Sequence, residues 1–556
     1  MPDTLLAKER IIAGPQFNRW LVPPAALAIH LCIGMAYGFS VFWKPLGQAL
    51  VDQDGKPLMS CAAGAVEIGA KLAAIGRALV ATDCNWSQFD LGWMYTLFFV
   101  FLGCSAAIWG GWLERAGPRK AGVVSALCWC GGLLLSAYGI KLHQLWLMWL
   151  GSGVIGGVGL GIGYISPVST LIKWFPDRRG MATGLAIMGF GGGAMIGSPL
   201  ATHLMALFAH AGEPGVWQTF IVMALLYAVF MLGGAFSYRL PATGWQPAGW
   251  IPAPQAATSP IAQRHVHLRQ AHRTPQFWLL WLVLCMNVSA GIGIIGAASP
   301  MLQETFAGAL VNDSTLTFDA LKADPARFTS IVAIGAGFVG LISLFNIGGR
   351  LAWASASDRL GRKLTFACLF LLGIVAYTLA AIAAEAQSLV LFVGCFCVIA
   401  SLYGGGFATI PAYLADLFGT QFVGAIHGRL LTAWSTAGIL GPVVVNYLHD
   451  VRLESGVPHA ALYGSVFHVL SGLLVVGLLA NLLVRPVAAR HFMSDEELAR
   501  EKQLAHERSI AEVAAAHHAP ARATPTGLVW LAWLAVGLPL AIGVGLTLQK
   551  SAMLFQ

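Results

Sequence analysis

Apolar runs constrain this chain more than anything else in it. Twelve of spanning length follow one another at roughly 19–45, 89–112, 119–141, 145–173, 179–209, 216–239, 274–302, 328–356, 363–385, 387–417, 423–449 and 459–484, and a thirteenth covers 527–549. A hydrocarbon core about 30 Å thick takes about twenty helical residues to cross. In lipid every backbone polar group needs an internal partner, so runs of this length are helices. Only 10% of residues are charged, against about 25% in soluble domains, so the chain reads as an all-α membrane protein with the lipid bilayer as its surroundings. Residues 1–19 are mixed and the first run is long enough to span, so no cleavable signal is expected.

Lysine and arginine set the orientation. With the N-terminus inside, the inward segments hold 23 cations, among them Arg115, Arg119, Lys120, Arg359, Arg362 and Lys363. The outward segments hold nine, and Arg350 is left within a span. This distribution places the net charge of +8 at a membrane face and argues against a nucleic-acid partner. The thirteenth span then puts the C-terminus outside, in a cell (inner or plasma) membrane.

The chain is doubled. Glu114 and Pro167 stand 244 positions before Asp358 and Pro411, and Phe175 and Pro199 stand 243 before Phe418 and Pro442. A repeated six-helix unit is the architecture of carriers whose halves rock about a central site. The expected layout is a six-helix bundle at 1–240, a cytoplasmic linker rich in proline and histidine at 241–273, a second six-helix bundle at 274–485, a charged helix and linker at 486–526, and the extra transmembrane helix at 527–549. The linker histidines show no metal-ligand spacing. Ser494 to Glu497 is a capping box that opens a helix to about Val513, and 62–80 suits a surface helix.

Arg350 stands eight residues before the basic loop around Asp358, which on a helix is about 12 Å deeper and near the middle third of a bilayer. A charge there is costly and marks a substrate or ion path. Asn346, one turn earlier, shares its face and adds an amide to the guanidinium fork, a pairing suited to a carboxylate. Tyr164 and Tyr403 occupy similar places in the two halves; each hydroxyl can donate to an anion or the ring can fill a helix crossing, and Tyr37 and Trp434 join them as candidate substrate-binding residues. His30, near the middle of the first span with Tyr37 two turns on, is a candidate proton relay or a neutral core histidine. Gly291 to Gly296 fits the dinucleotide fingerprint in letters alone, since it lies inside a span with no strand before it. Cys61 and Cys84 share one outward loop and can pair; the paired cysteines 128/130 and 395/397 lie in apolar helices and suit packing better than a metal. No cofactor, metal or catalytic residue is expected.

The loops at 110–120 and 354–363 resemble the signature loop of the major facilitator superfamily, with Glu114 replacing the usual aspartate in the first copy. Its charged residues Glu114, Arg115, Asp358, Arg359 and Arg362 are expected to form a cytoplasmic gate. More narrowly, RWLVPPAALAIHLCIGMAYGFSVF, FWLLWLVLCMNVSAGIGIIGAASPM, FNIGGRLAWASASDRLGRK and GRLLTAWSTAGILGPV resemble the oxalate:formate antiporter family, close to the monocarboxylate porters. The resemblance covers about 17–485 and implies a substrate-binding pair at Asn346 and Arg350. The thirteenth span resembles single-span companion proteins of such transporters, here fused.

Family members that exchange oxalate carry a lysine in the eleventh span; here Leu430 to Leu440 has none and Trp434 takes the centre. One buried cation balances a monovalent anion best. The expected function is therefore a secondary carrier of small carboxylates, with lactate, pyruvate or formate favoured, working by proton symport or anion exchange as a monomeric unit. An oxalate:formate type of exchange is the alternative, and a non-transporting sensor on the same fold is a second. No nucleotide loop for pumping is present, and no cluster of acids and histidines for membrane enzymology.

Overall fold

In the computed structural model, residues 5–53, 58–61, 68–210, 214–242, 245–249, 265–313, 315–322, 324–494, 496–497, 499–501, 503 and 523–552 are described. Thirteen helices among them are long and apolar enough to cross a membrane. They are α1 (Arg19–Phe39), α2 (Asp90–Ala116), α3 (Pro118–Lys141), α4 (Leu145–Trp174), α5 (Arg179–Phe208), α6 (Val216–Ser237), α7 (Pro275–Thr305), α8 (Gly337–Leu360), α9 (Arg362–Glu385), α10 (Leu389–Phe418), α11 (Val423–Leu453), α12 (His459–Leu483) and α13 (Thr526–Gln549). The first six and the next six form two bundles with the same plan.

The halves meet along two seams, α2 against α11 and α5 against α8, which the internal repeat exchanges. Small residues make the seams close. A methyl group on Gly184 of α5 would stand 2.8 Å from the Arg350 carbonyl oxygen of α8, so only glycine allows this approach. The matched turns at the basic end also need glycine. Gly117, between α2 and α3, has φ 81°, and Gly361, between α8 and α9, has φ 84°.

Three spans depart from plain helix. The first run is α-helical only over Val22–Ile33 and continues as a tighter 3-10 segment, Gly34–Phe42, before a short turn, Trp43–Gly47. Its glycines explain this, since Gly34 lies directly on the Phe190 backbone of α5. α4 carries a wider π-turn at Trp149–Gly156, and α11 breaks after Leu430 and resumes at Thr432.

The helix containing α8 begins at Pro325, and a short helix, Phe318–Lys322, occupies part of the preceding loop. A helix also forms at Ile68–Ala78 in the long loop before α2. Ser494 and Glu497 exchange the two hydrogen bonds of a capping box, each 3.1 Å, while the helix expected to run on to Val513 lies largely outside the described residues. Residues 243–244 and 250–264 of the linker are also outside them.

α13 lies at the periphery, with 11% of its apolar window buried. Its inner face packs on both halves. Val536 joins Leu27 and Ala28 of α1, and the Trp533 indole donates to the Trp20 carbonyl at 3.0 Å. Farther along, Gly543 meets Met195 and Ile196 of α5, Thr547 lies on Gly340 of α8, and Ser551 donates to the Gly337 carbonyl at 3.0 Å.

Candidate functional site

The helix around Arg350 is continuous from Pro325 to Leu360, so Asn346 and Arg350 project from one face a turn apart. That face turns away from lipid into the space between the halves. Arg350 is wholly buried. Its Nε donates to Asn346 Oδ1 at 2.9 Å and its Nη1 to the Ile187 carbonyl of α5 at 3.3 Å. Its Nη2 has no hydrogen-bond partner among the described residues. The Asn346 amide nitrogen donates to the Ala400 carbonyl of α10 at 3.2 Å, which turns its oxygen toward Arg350.

Aromatic rings wall the guanidinium. Its carbon sits 6.0 Å from the Phe190 ring of α5 and 5.6 Å from the Phe407 ring of α10, within reach of the attractive ring faces. Trp434 packs on both, at 5.4 and 4.5 Å, and lies 5.3 Å from Tyr164. Tyr37 stands edge-on to Phe190 at 4.9 Å, and its hydroxyl bonds the Tyr403 hydroxyl at 2.8 Å. The charge of Arg350 reaches Tyr37, Tyr164, Tyr403 and His30.

Several polar atoms of this cluster have no hydrogen-bond partner among the described residues: the Tyr164 hydroxyl, Trp434 Nε1, His427 Nε2 and Arg350 Nη2. Each unsatisfied buried group costs about 1–3 kcal/mol, more when charged. Protein cores avoid such groups, and functional sites retain them. Three of the four are donors fixed by their chemistry or free to donate, so together they suit an acceptor such as a carboxylate.

Sequence reasoning placed Arg350, Asn346, Tyr37, Tyr164, Tyr403 and Trp434 in the candidate set, and the fold brings all six to this interface. It passed over Phe190, Phe407 and His427. His427 stands two helical turns before Trp434, and its ring centre is 6.0 Å from Tyr164. That i, i+7 spacing was the available signal. His30 sits beside the cluster but away from Tyr37: its Nδ1 meets the Ala186 carbonyl and its Nε2 the Tyr164 carbonyl at 3.1 Å.

At the basic end the halves are latched. Asp358, at the end of α8, accepts from the Gly180 and Met181 backbone N–H groups at 2.8 and 3.0 Å, capping the start of α5 across the seam. Arg362 bonds Asp358 at 2.7 Å and Asp416 at 3.0 Å, and Arg179 reaches Asp416 across the seam at 3.3 Å. Glu114 pairs instead with Lys173 of its own half at 2.9 Å. Arg115 and Arg359 are exposed and stand apart from this network. Asp416 and Arg179, members of the latch, and Lys173, the partner of Glu114, are residues that the loop motif alone does not reveal.

At the opposite end Cys61 and Cys84 are joined, with their Cα atoms 5.0 Å apart. His143 stacks on Trp86 at 4.2 Å and bonds the Cys84 carbonyl at 2.9 Å. Burial pushes the pKa of His143 down. Among the described residues no group of histidines, cysteines and acids is arranged to hold a metal ion.

Two bundles of one plan that meet around a buried cation share the architecture of membrane carriers. The chain belongs to the Major Facilitator Superfamily, whose family model matches residues 59–352 and 294–554. It is similar to an uncharacterised transporter of this type, YhjX, from Escherichia coli, at 23% identity over 66% of this chain and 80% of that one. The oxalate:formate antiporter of Oxalobacter formigenes is 28% identical over 52% of this chain and 59% of its own length. The apicoplast pyruvate carrier 1 of Toxoplasma gondii is 25% identical over 77% and 84%. Among solved structures, the transporter FucP in its outward conformation aligns with a TM-score of 0.52 at 14% identity, covering 83% of this chain and 99% of that one, a likeness of fold.

Proposed function

We propose that this transporter is a secondary carrier of small carboxylates, with monocarboxylates such as lactate, pyruvate and formate favoured. The observation that carries the reading is the guanidinium of Arg350, wholly buried at the seam with one nitrogen unpaired. A carboxylate would take Nη2, balance the charge, and accept from the Tyr164 hydroxyl and the Trp434 indole. The names of two relatives, an oxalate:formate antiporter and a pyruvate carrier, support the same class.

Arg350 also holds the halves together by donating to Ile187 of α5. A carboxylate that takes Nη2 and reaches Nη1 with its second oxygen competes for that donor, which ties occupancy to movement of the seam. We place the latch around Asp358 at the cytoplasmic face, following the excess of cations there, and regard 1–240 and 274–485 as the two moving bodies.

The test is uptake of labelled lactate, pyruvate, formate and oxalate into proteoliposomes, beside the same measurement on Arg350→Ala. Saturable uptake of one or more of these that disappears in the variant supports the reading. Uptake that is indifferent to the substitution, or absent for every carboxylate, removes it.

A further inference from the structure

We propose that His30 is the proton-binding group of this carrier, charged when a carboxylate occupies Arg350 and neutral when none does. The inference rests on the carboxylate reading of Arg350 and adds the coupling to it.

The geometry of the ring carries the argument. Each nitrogen of His30 faces a carbonyl oxygen, Nδ1 that of Ala186 and Nε2 that of Tyr164. A neutral imidazole donates from one nitrogen and turns a lone pair outward from the other. Only the imidazolium donates to both carbonyls, so the pocket fits the charged form. Yet the ring is wholly buried, where an unpaired charge is costly.

The groups that act on His30 are few. From α4 the Tyr164 ring lies 5.3 Å away, and from across the seam the charge of Arg350 on α8 opposes a second positive charge. Neither α3, α5, α6 nor α13 contributes an acid or a base that acts on it among the described residues. Among the described residues no carboxylate acts on the imidazole to stabilise its charged form. A substrate carboxylate on Arg350 would cancel the opposing charge and, as a nearby anion, offset part of the larger cost of burial, so the proton binds more readily with substrate present. Binding free energies are reciprocal, so the proton strengthens substrate binding by the same factor.

A single stretch of α5 links the two groups. Consecutive carbonyls, Ala186 and Ile187, receive His30 and Arg350 respectively. Drawing Arg350 onto a substrate frees the Ile187 carbonyl beside the peptide that holds His30. The charge count also balances. The site carries one net positive charge when empty and one when loaded with an anion and a proton, so both forms can be enclosed at similar cost. In the binding step the proton comes from solution and adds to the free imidazole lone pair; no other bond changes.

The experiment measures affinity for lactate, pyruvate and formate between about pH 5.5 and 8 in purified wild-type protein, His30→Gln and Arg350→Ala, with proton uptake on binding followed by an indicator dye in weak buffer. In wild type, affinity should rise by up to tenfold for each unit fall in pH, with one proton taken up per substrate. His30→Gln should bind with a flat profile near the wild-type value at high pH, and should lose accumulation driven by a pH gradient. If wild type binds a carboxylate without taking up a proton, or His30→Gln keeps the slope, His30 is not the proton site while the carboxylate reading stands. If wild type binds none of the three, that reading falls and takes this one with it. The dye measurement needs only wild-type protein and so survives a variant that fails to fold.

Discussion

The second half of this transporter carries what the first half only sketches. Both copies of the signature loop place an acid at the end of a helix, Glu114 and Asp358. Asp358 reaches across the seam to cap α5. Glu114 turns back to Lys173, although its other oxygen would lie 2.5 Å from a methyl group on Gly424, at the matching start of α11. The position of Lys173 explains the change, because 243 residues on stands Asp416. In the second half two acids share Arg362; in the first, a lysine faces the glutamate and takes one of its oxygens within the same half. The counterpart of Arg362 is Arg119, which donates to the Leu5 and Phe236 carbonyls instead. A repeat can keep its charged positions while moving their bonds from between the halves to within one of them.

This asymmetry can be broken at four levels. The largest effect belongs to the buried cation, which has no equivalent in the first half. Arg350→Ala should abolish carboxylate binding, and Arg350→Lys should fail nearly as badly, because a point charge replaces the two-donor fork. Substrate-induced thermal stabilisation reads both; a lysine variant that binds normally would show that charge alone suffices.

Next comes a staple that only the first half possesses. Cys61 and Cys84 close a loop of 23 residues, worth about 3 kcal/mol in the chain-entropy account. Reduction or Cys61→Ser with Cys84→Ser should lower the melting temperature and loosen the outer loop. Two thiols freely alkylated in the native protein would count against the bond itself.

The latches follow. Asp358→Asn removes a charged acceptor for two backbone donors and should cost the closed basic end about 2 kcal/mol. Glu114→Gln breaks a partly exposed pair within one half and should cost under about 1 kcal/mol. Labelling of single cysteines placed along α5 and α8 at that end would rise strongly in the first variant and barely in the second. Equal labelling would erase the distinction drawn between the loops.

The smallest effect concerns His143. Its folded pKa lies below the ordinary 6.5 because of burial, so the unfolded chain takes up a proton first as pH falls. The stability it contributes is present above that range and is lost as pH drops below 6.5. Hydrogen exchange around Trp86 should therefore quicken in mild acid in wild type and lose that step in His143→Phe.

Local patterns made the spans and the repeat legible, because hydrophobic length and positional offset are properties of neighbouring residues. The pairing of Asn346 with Arg350 was equally legible, being one turn of one helix. Partners that meet only across a seam were not. Nothing local sets Asp416 apart from other loop-end acids, Arg179 from other inward cations, or Phe190 and Phe407 from the many other apolar-run aromatics. His427 stands seven residues before Trp434, but the break at Leu431 lies between them and weakens that spacing as a sign of a shared face. The 3-10 stretch of the first span was also hidden, since Gly34 is dictated by the backbone of α5 rather than by its own neighbours.

The docking of α13 has a consequence for how the molecule is made. Its seat is composed of α1, α5 and α8, so it does not exist until both bundles have inserted and met. Synthesis proceeds from the N-terminus, and α1 must wait in the bilayer through the production of eleven further spans before Trp533 can reach the Trp20 carbonyl. Its groove is then filled by a helix that could not have arrived earlier. An assembly that stalls with the halves apart offers α13 only part of this surface, so the seating of this helix distinguishes a completed molecule from an unfinished one.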